Sequence, residues 1–288
     1  MGTPARSAFC SPAGAPAVLD RLRRELCAAE AATGLTPDGG AALGLGISAI
    51  DGVLSGGLGC GALHEIAAAH ETETAAATGF ALALAARQAL PSCESAARTG
   101  ASAVSTRITG RYLLWIAEDF SLAENGAPYA PGLDGAGIAP ERLITVTAAR
   151  DRDVLWAMEE ALRCRKLGAV LGEIGDIDMV ASRRLQLAAE ASGVTGLLLR
   201  SAGRRLGATA SVTRWSLSAA PSRPIDGEPG LGLPRWRTKL LRCRGGRPGE
   251  WLLEWDGGGF TLVDAPMEAV NPGEAEPEWL QRISSSVW

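Results

Sequence analysis

The chain has 288 residues, 47% of them hydrophobic and 21% charged, with 28 Lys/Arg against 32 Asp/Glu and a net charge of −4. That balance supports a sizeable core in one large domain with extensions, and it excludes disordered and fibrous classes. No run approaches the roughly 18 apolar residues of a membrane helix, and MGTPARSAFCSPAG carries neither a secretory apolar stretch nor an acylation signal, so a cytoplasmic chain without membrane contact is expected.

Residues 17–33 (AVLDRLRRELCAAEAAT) set Val18, Leu19, Leu22 and Leu26 on one helical face, stopped by Gly34. A Gly/Ala loop leads to a short helix around Ile47–Leu54, then to a glycine turn (Gly56, Gly57, Gly59, Gly61) and a strand over Ala62–Ala67. Residues 75–90 form an alanine-rich helix stopped by Pro91, and the small polar segment 91–110 reads as a mobile insertion. Strands follow at YLLWIAE (112–118) and LITV (143–146), with a turn-and-helix region around APYAPGLDGAG between them. DRDVLWAMEEALR (151–163) is an amphipathic helix with acids in its first turn, where the helix dipole favours them. GAVLGE (168–173), VASRRLQLAAEAS (180–192) and VTGLLLR (194–200) then read as strand, helix and strand.

Short apolar strands alternating with helices predict an α/β fold with a mostly parallel sheet covered on both faces. From residue 208 the period changes to two, and LRCR-GGRPG-EWLLEW predicts a C-terminal antiparallel hairpin followed by a third short strand. Trp251, Leu253 and Trp255 share one face of that hairpin, which suits a hairpin core; stacking on single-stranded DNA is the alternative. The chain so divides into an N-terminal helix and linker (1–40), a core (41–219), a basic hairpin region (220–265) and an acidic tail (266–288).

Six cysteines never occur as CxxC and the only histidines are His64 and His70, a pattern of free thiols without a metal cluster. Residues 200–247 hold eleven Lys/Arg against Asp226 and Glu228, so a basic segment is attached to an acidic body. Such a segment either meets a polyanion or an acidic partner, or is a solvated face balancing the body. Candidate contacts are Arg204, Arg205 and Arg214 near the strand ends, and Arg235, Arg237, Lys239, Arg242 and Arg244 on the hairpin. By strict alternation the odd and even members of the second group face opposite ways. Trp279 and Trp288 in the tail are candidate partner anchors.

LGLGISAIDGVLSGGLGCGALHEI resembles the opening of a RecA-type recombinase core. A working phosphate loop in that position needs glycines for close backbone approach, a lysine for the phosphates and a hydroxyl for Mg²⁺. Matching Glu65-Ile66 to the recombinase pair puts Ala68 and Glu73 in place of the glycines, Thr74 in place of the lysine and Ala75 in place of the hydroxyl. The loop is thus degenerate, Glu73 adds charge toward a polyphosphate, and no cofactor or catalysis is expected. The resemblance further puts Glu118 in the place of the recombinase's catalytic glutamate and Glu173 in that of its Mg²⁺-associated acid; both also read as plain strand-end residues.

GALHEI, ATGFALALAAR, APYAPGL, ARDRDVLWAMEEALRC, ASRRLQLAAEASGVTGLLLR and LLRCRGGRPGEWLLEWD, spanning about residues 43–263, resemble the ImuA family of RecA-like accessory proteins. That resemblance implies a non-catalytic adaptor in SOS-induced, error-prone translesion synthesis. Its implied partners are an ImuB-like inactive Y-family polymerase homologue and an error-prone replicative-type polymerase, with RecA and DNA as further candidates. The alternative is a SulA-like inhibitor of the division protein FtsZ, for which the chain with its basic hairpin region is long.

Overall fold

The computed structural model describes residues 42–89, 111–200, 206–222 and 232–263. The helix expected over 17–33, the 91–110 insertion and the acidic tail lie outside the described residues. Four elements open the described chain: β1 (Ala42–Leu43), α1 (Ser48–Asp51), β2 (Leu58–Gly59) and β3 (Leu63–Ala68). After a 3₁₀ turn at Glu71–Glu73 come α2 (Thr74–Ala89), β4 (Tyr112–Glu118), α3 (Asp119–Asn125) and α4 (Ala130–Gly135). They are followed by β5 (Leu143–Ala148), α5 (Asp151–Leu162), β6 (Leu167–Ile174), α6 (Met179–Ser192) and β7 (Thr195–Arg200). The last four strands are β8 (Thr213–Ala220), β9 (Arg235–Cys243), β10 (Gly249–Trp255) and β11 (Phe260–Leu262).

Nine strands form one sheet in the order β11-β10-β9-β8-β3-β7-β6-β4-β5. Pairing is parallel from β8 through β3 to β5 and antiparallel from β8 to β11. The expected α/β class is therefore present, and the hairpin continues the same sheet. The parallel strands are apolar on both faces because helices cover both. On one face Ile66, Leu113, Leu171 and Leu197 pack with Phe80 and Leu84 of α2; on the other Leu63, Ile116, Val170 and Leu198 pack with Met158 of α5 and Leu185 of α6. Gly172 in β6 lets α5 sit close, since a Cβ there would meet the Met158 sulfur at 2.1 Å.

The hairpin's aromatics close the first core. Phe80 has ring centroids at 5.7 Å from Trp215, 5.7 Å from Trp236 and 5.6 Å from Phe260. Leu253 is fully buried and Trp255 is 2% exposed, so their shared face is core, as alternation predicted. Trp255 Nε1 also donates to the Ala136 carbonyl at 3.0 Å, tying the hairpin to the segment after α4.

Helix ends follow from local chemistry. Asp178 caps α6 by accepting from the Ala181 amide at 2.7 Å, and Gly193 ends it in the left-handed conformation at φ 77°. Asp151, in the first turn of α5, does more than meet the dipole. Its carboxylate accepts from the Gly175 and Asp176 amides and so fastens the loop after β6. Cys60, Cys164 and Cys243 are free thiols, and no described helix is long and apolar enough to cross a membrane.

Candidate functional site

A cleft of about 550 Å³ opens where the carboxyl ends of β3, β4, β6 and β7 meet, the usual ligand position of open α/β sheets. Glu71 and Thr74 reach it from the loop and helix after β3, Glu118 from the end of β4, Glu124 from α3, Asp151 from α5 and Glu173 from β6. The cleft thus gathers Glu118 and Glu173 with three further carboxylates. The one cationic side chain among its described lining residues is Arg200, at 1% exposure.

The loop itself differs from expectation in one respect. Glu73 is turned away from the cleft: its Oε2 accepts from the Ala219 amide of β8 at 2.7 Å. Of the two loop glutamates, Glu71 is the one that lines the cleft. Thr74 uses its hydroxyl locally, donating to the Glu71 carbonyl at 3.0 Å. Ala68 ends β3 and Ala75 lies in the first turn of α2, so neither supplies a polar side chain.

Glu173 is held by two donors, Trp115 Nε1 at 2.9 Å and Ser121 Oγ at 2.6 Å. Burial pushes its carboxyl above the ordinary range, against the lowering effect of the Ser121 and Trp115 hydrogen bonds. It therefore works as an acceptor joining β4, α3 and β6. Among the described residues no three His, Cys, Asp or Glu side chains are placed to hold a metal ion.

Behind the cleft lies a buried ion cluster that sequence analysis did not foresee. Glu65, with no exposure, accepts from Arg200 Nη1 on Oε1 and from Arg214 Nε on Oε2, both at 2.9 Å. Arg200 continues to the Gly175 carbonyl at 3.0 Å and to Asp176 at 3.3 Å. Three neighbouring parallel strands, β7, β3 and β8, meet here in register. Arg214, a candidate nucleic-acid contact from sequence, has its guanidinium committed to Glu65 and to the Gly207 carbonyl. The signal available in sequence was a lone acid inside one apolar strand, Glu65 in LHEIAA, and a lone base closing another, Arg200 in TGLLLR.

His64 is wholly buried and structural. Its Nε2 lies 2.9 Å from the Gly59 carbonyl, which can only accept, so Nε2 carries the proton. Nδ1 then accepts from Thr213 Oγ1 at 2.8 Å, whose oxygen in turn accepts from Trp215 Nε1. Burial pushes the ring's pKa down to about 4.

The hairpin arginines fall differently from strict alternation. Arg214 pairs with Arg242 while Trp215 pairs with Leu240, so Leu241 is an extra residue in a β-bulge. The bulge returns Arg242 to the face that carries Arg235, Arg237 and Lys239, opposite the buried Trp236 and Leu240. On that face Arg235 pairs with Glu254, Lys239 stands opposite Glu250, and Arg242 donates to the Thr209 carbonyl. Arg244 donates to the Ala210 carbonyl at 3.3 Å. Arg204, Arg205, Trp279 and Trp288 lie outside the described residues.

No family model matches the chain. It is similar to Protein ImuA of Caulobacter vibrioides, in strain NA1000 / CB15N and in strain ATCC 19089 / CIP 103742 / CB 15, at 37% identity over 223 residues in each. The matched region covers 74% of this chain and 82% of each relative. With that identity across most of both chains, the protein belongs to the ImuA family.

Proposed function

We propose that this chain is a non-catalytic RecA-like adaptor in SOS-induced, error-prone DNA synthesis across lesions. It acts in the cytoplasm with an ImuB-like inactive polymerase homologue and an error-prone replicative-type polymerase, with RecA and DNA as further contacts. Membership of the ImuA family supports the pathway. The observation that supports the non-catalytic role is the cleft itself. Five carboxylates line it, and its described cation is a buried arginine already bound to Glu65, Gly175 and Asp176. A nucleoside triphosphate entering there meets like charge and, among the described lining residues, no lysine.

A deletion strain exposed to ultraviolet light tests the pathway by scoring induced mutation frequency and cell length together. Loss of induced mutations with normal filamentation is the expected result. Unchanged mutagenesis with lost filamentation would overturn it in favour of a division inhibitor. On the purified chain, MgATP is expected to leave the melting temperature unchanged; a saturable rise would overturn the non-catalytic role.

A further inference from the structure

The antiparallel half of the sheet is covered on one side only. Toward α2, Trp215, Leu217, Trp236, Leu240 and Leu253 of β8 to β10 are buried. On the opposite side α5 and α6 pack against β3 to β7. There, every residue of β8 to β10 that faces outward keeps part of its surface exposed.

A row of cations runs down the middle of that face. Arg235, Arg237 and Lys239 are alternate residues of β9, so their side chains project on one side at a pitch of about 7 Å. The outer two have acids beside them, since Arg235 pairs with Glu254 and Lys239 stands opposite Glu250. The middle one does not. Arg237 lies between Ser218 of β8 and Leu252 of β10, so the sheet itself sets no carboxylate opposite it on either side. The acidic segment of the chain leaves the sheet at this same level. After β11 the Val263 amide donates to the Leu252 carbonyl at 2.9 Å, and Leu252 is the cross-strand neighbour of Arg237. Val263 is thus two strands from Arg237, about 10 Å. Beyond it, residues 266–288 hold four glutamates against one arginine, Arg282. Three of the four fall in EAEPE, as Glu274, Glu276 and Glu278, again at alternate positions. Residues 264–273, which join them to the sheet, span up to about 35 Å when extended, more than the distance to β9 requires.

We propose that Glu274–Glu278 of the tail folds back over the uncovered face of β9, with its three carboxylates on Arg235, Arg237 and Lys239. Pro277 holds Glu276 extended, and an extended EAEPE has the pitch of the cation row, so the two ladders meet without either changing its spacing. The basic face is thereby reserved for the chain's own tail, and an outside polyanion reaches it only by displacing that tail. The inference needs no partner and stands apart from the adaptor reading.

The chain has two lysines, Lys166 and Lys239, which makes zero-length carbodiimide coupling of lysine amines to carboxylates selective. The full chain is coupled at low concentration and the links are mapped by mass spectrometry, with the Lys239–Glu250 link as internal standard for a folded hairpin. The expected result is an intrachain link from Lys239 to Glu274, Glu276 or Glu278. It should fall about fivefold or more in ~0.5 M salt and in Arg237→Glu. Glu276→Arg, which leaves the described fold untouched, should lower the links to Glu274 and Glu278 to a similar extent, and combining it with Arg237→Glu should restore them. Should Arg237→Glu lose the internal standard, Glu276→Arg alone decides. A Lys239–Glu250 link with no tail link would overturn the inference, as would tail links to Lys166 alone or tail links that neither variant lowers. Links joining labelled to unlabelled copies in an isotope mixture would assign the tail to a second chain and overturn it too.

Discussion

Replacing Arg200 by methionine tests the buried ion cluster most directly. The substitution keeps an unbranched side chain of similar reach but deletes the guanidinium, which is 1% exposed and bonded to Glu65, Gly175 and Asp176. Glu65 is left without exposure and faces Arg214 alone, and the Gly175 carbonyl loses a donor. Removing one partner of a buried pair costs roughly 3–5 kcal/mol, and the retained Arg214 places this case at about 3 kcal/mol. For a folded unit of this size that corresponds to a fall in melting temperature of roughly 6–12 °C. Urea unfolding of wild type, Arg200→Met, Glu65→Gln and the double variant gives the cycle. The double variant is expected to lose less than the sum of the two single losses, by about 1–3 kcal/mol, because the stranded carboxylate has been neutralised. A melting temperature for Arg200→Met within about 1 °C of wild type, or strictly additive losses, would refute the view that this cluster holds β3, β7 and β8 in register.

Three further outcomes follow from the geometry. Burial raises the Glu173 carboxyl in the folded state, so its contribution is present at low pH and lost as pH rises through the folded value; the melting-temperature difference between Glu173→Gln and wild type should shift in favour of the variant from pH 4.5 to pH 7, and a pH-independent difference would contradict it. His64 has the opposite behaviour. Its ring titrates near 4 folded and near 6.5 unfolded, so wild type should lose up to about 3 kcal/mol between pH 6.5 and 4, a slope that His64→Gln removes in parallel urea titrations. Phe80→Ala opens the aromatic core shared by α2 and the C-terminal strands, and should cost about 3–5 kcal/mol in one cooperative transition read by both tryptophan fluorescence and circular dichroism; separate transitions would divide the hairpin from the core.

The parallel core was legible because its signals are local. YLLWIAE begins and ends as a strand where sequence analysis placed it, and the helices at 74–89, 151–162 and 179–192 begin and end within a residue of expectation. Their boundaries are written in caps and breakers such as Asp178, Gly193 and Pro91, and their type in apolar periodicity. The basic hairpin was legible as two strands, yet the facing of its arginines was not. One extra residue at Leu241 reverses the alternation, and a bulge leaves no mark in a single sequence.

What the amino-acid sequence by itself determined was the α/β class and kinship with the ImuA family, since each depends on residue identity at short spacing. What only the tertiary structure decided was where charge resides. Glu65, Arg200 and Arg214 are more than a hundred residues apart in part and meet only because β7, β3 and β8 pair in parallel. Glu73 leaves the cleft for Ala219, and Glu71 takes its place. The place of β5 at the margin of the described sheet likewise follows from strand order alone. LITVTA reads the same in the middle of a sheet as at its margin, and sheet position is settled by pairing with segments far along the chain.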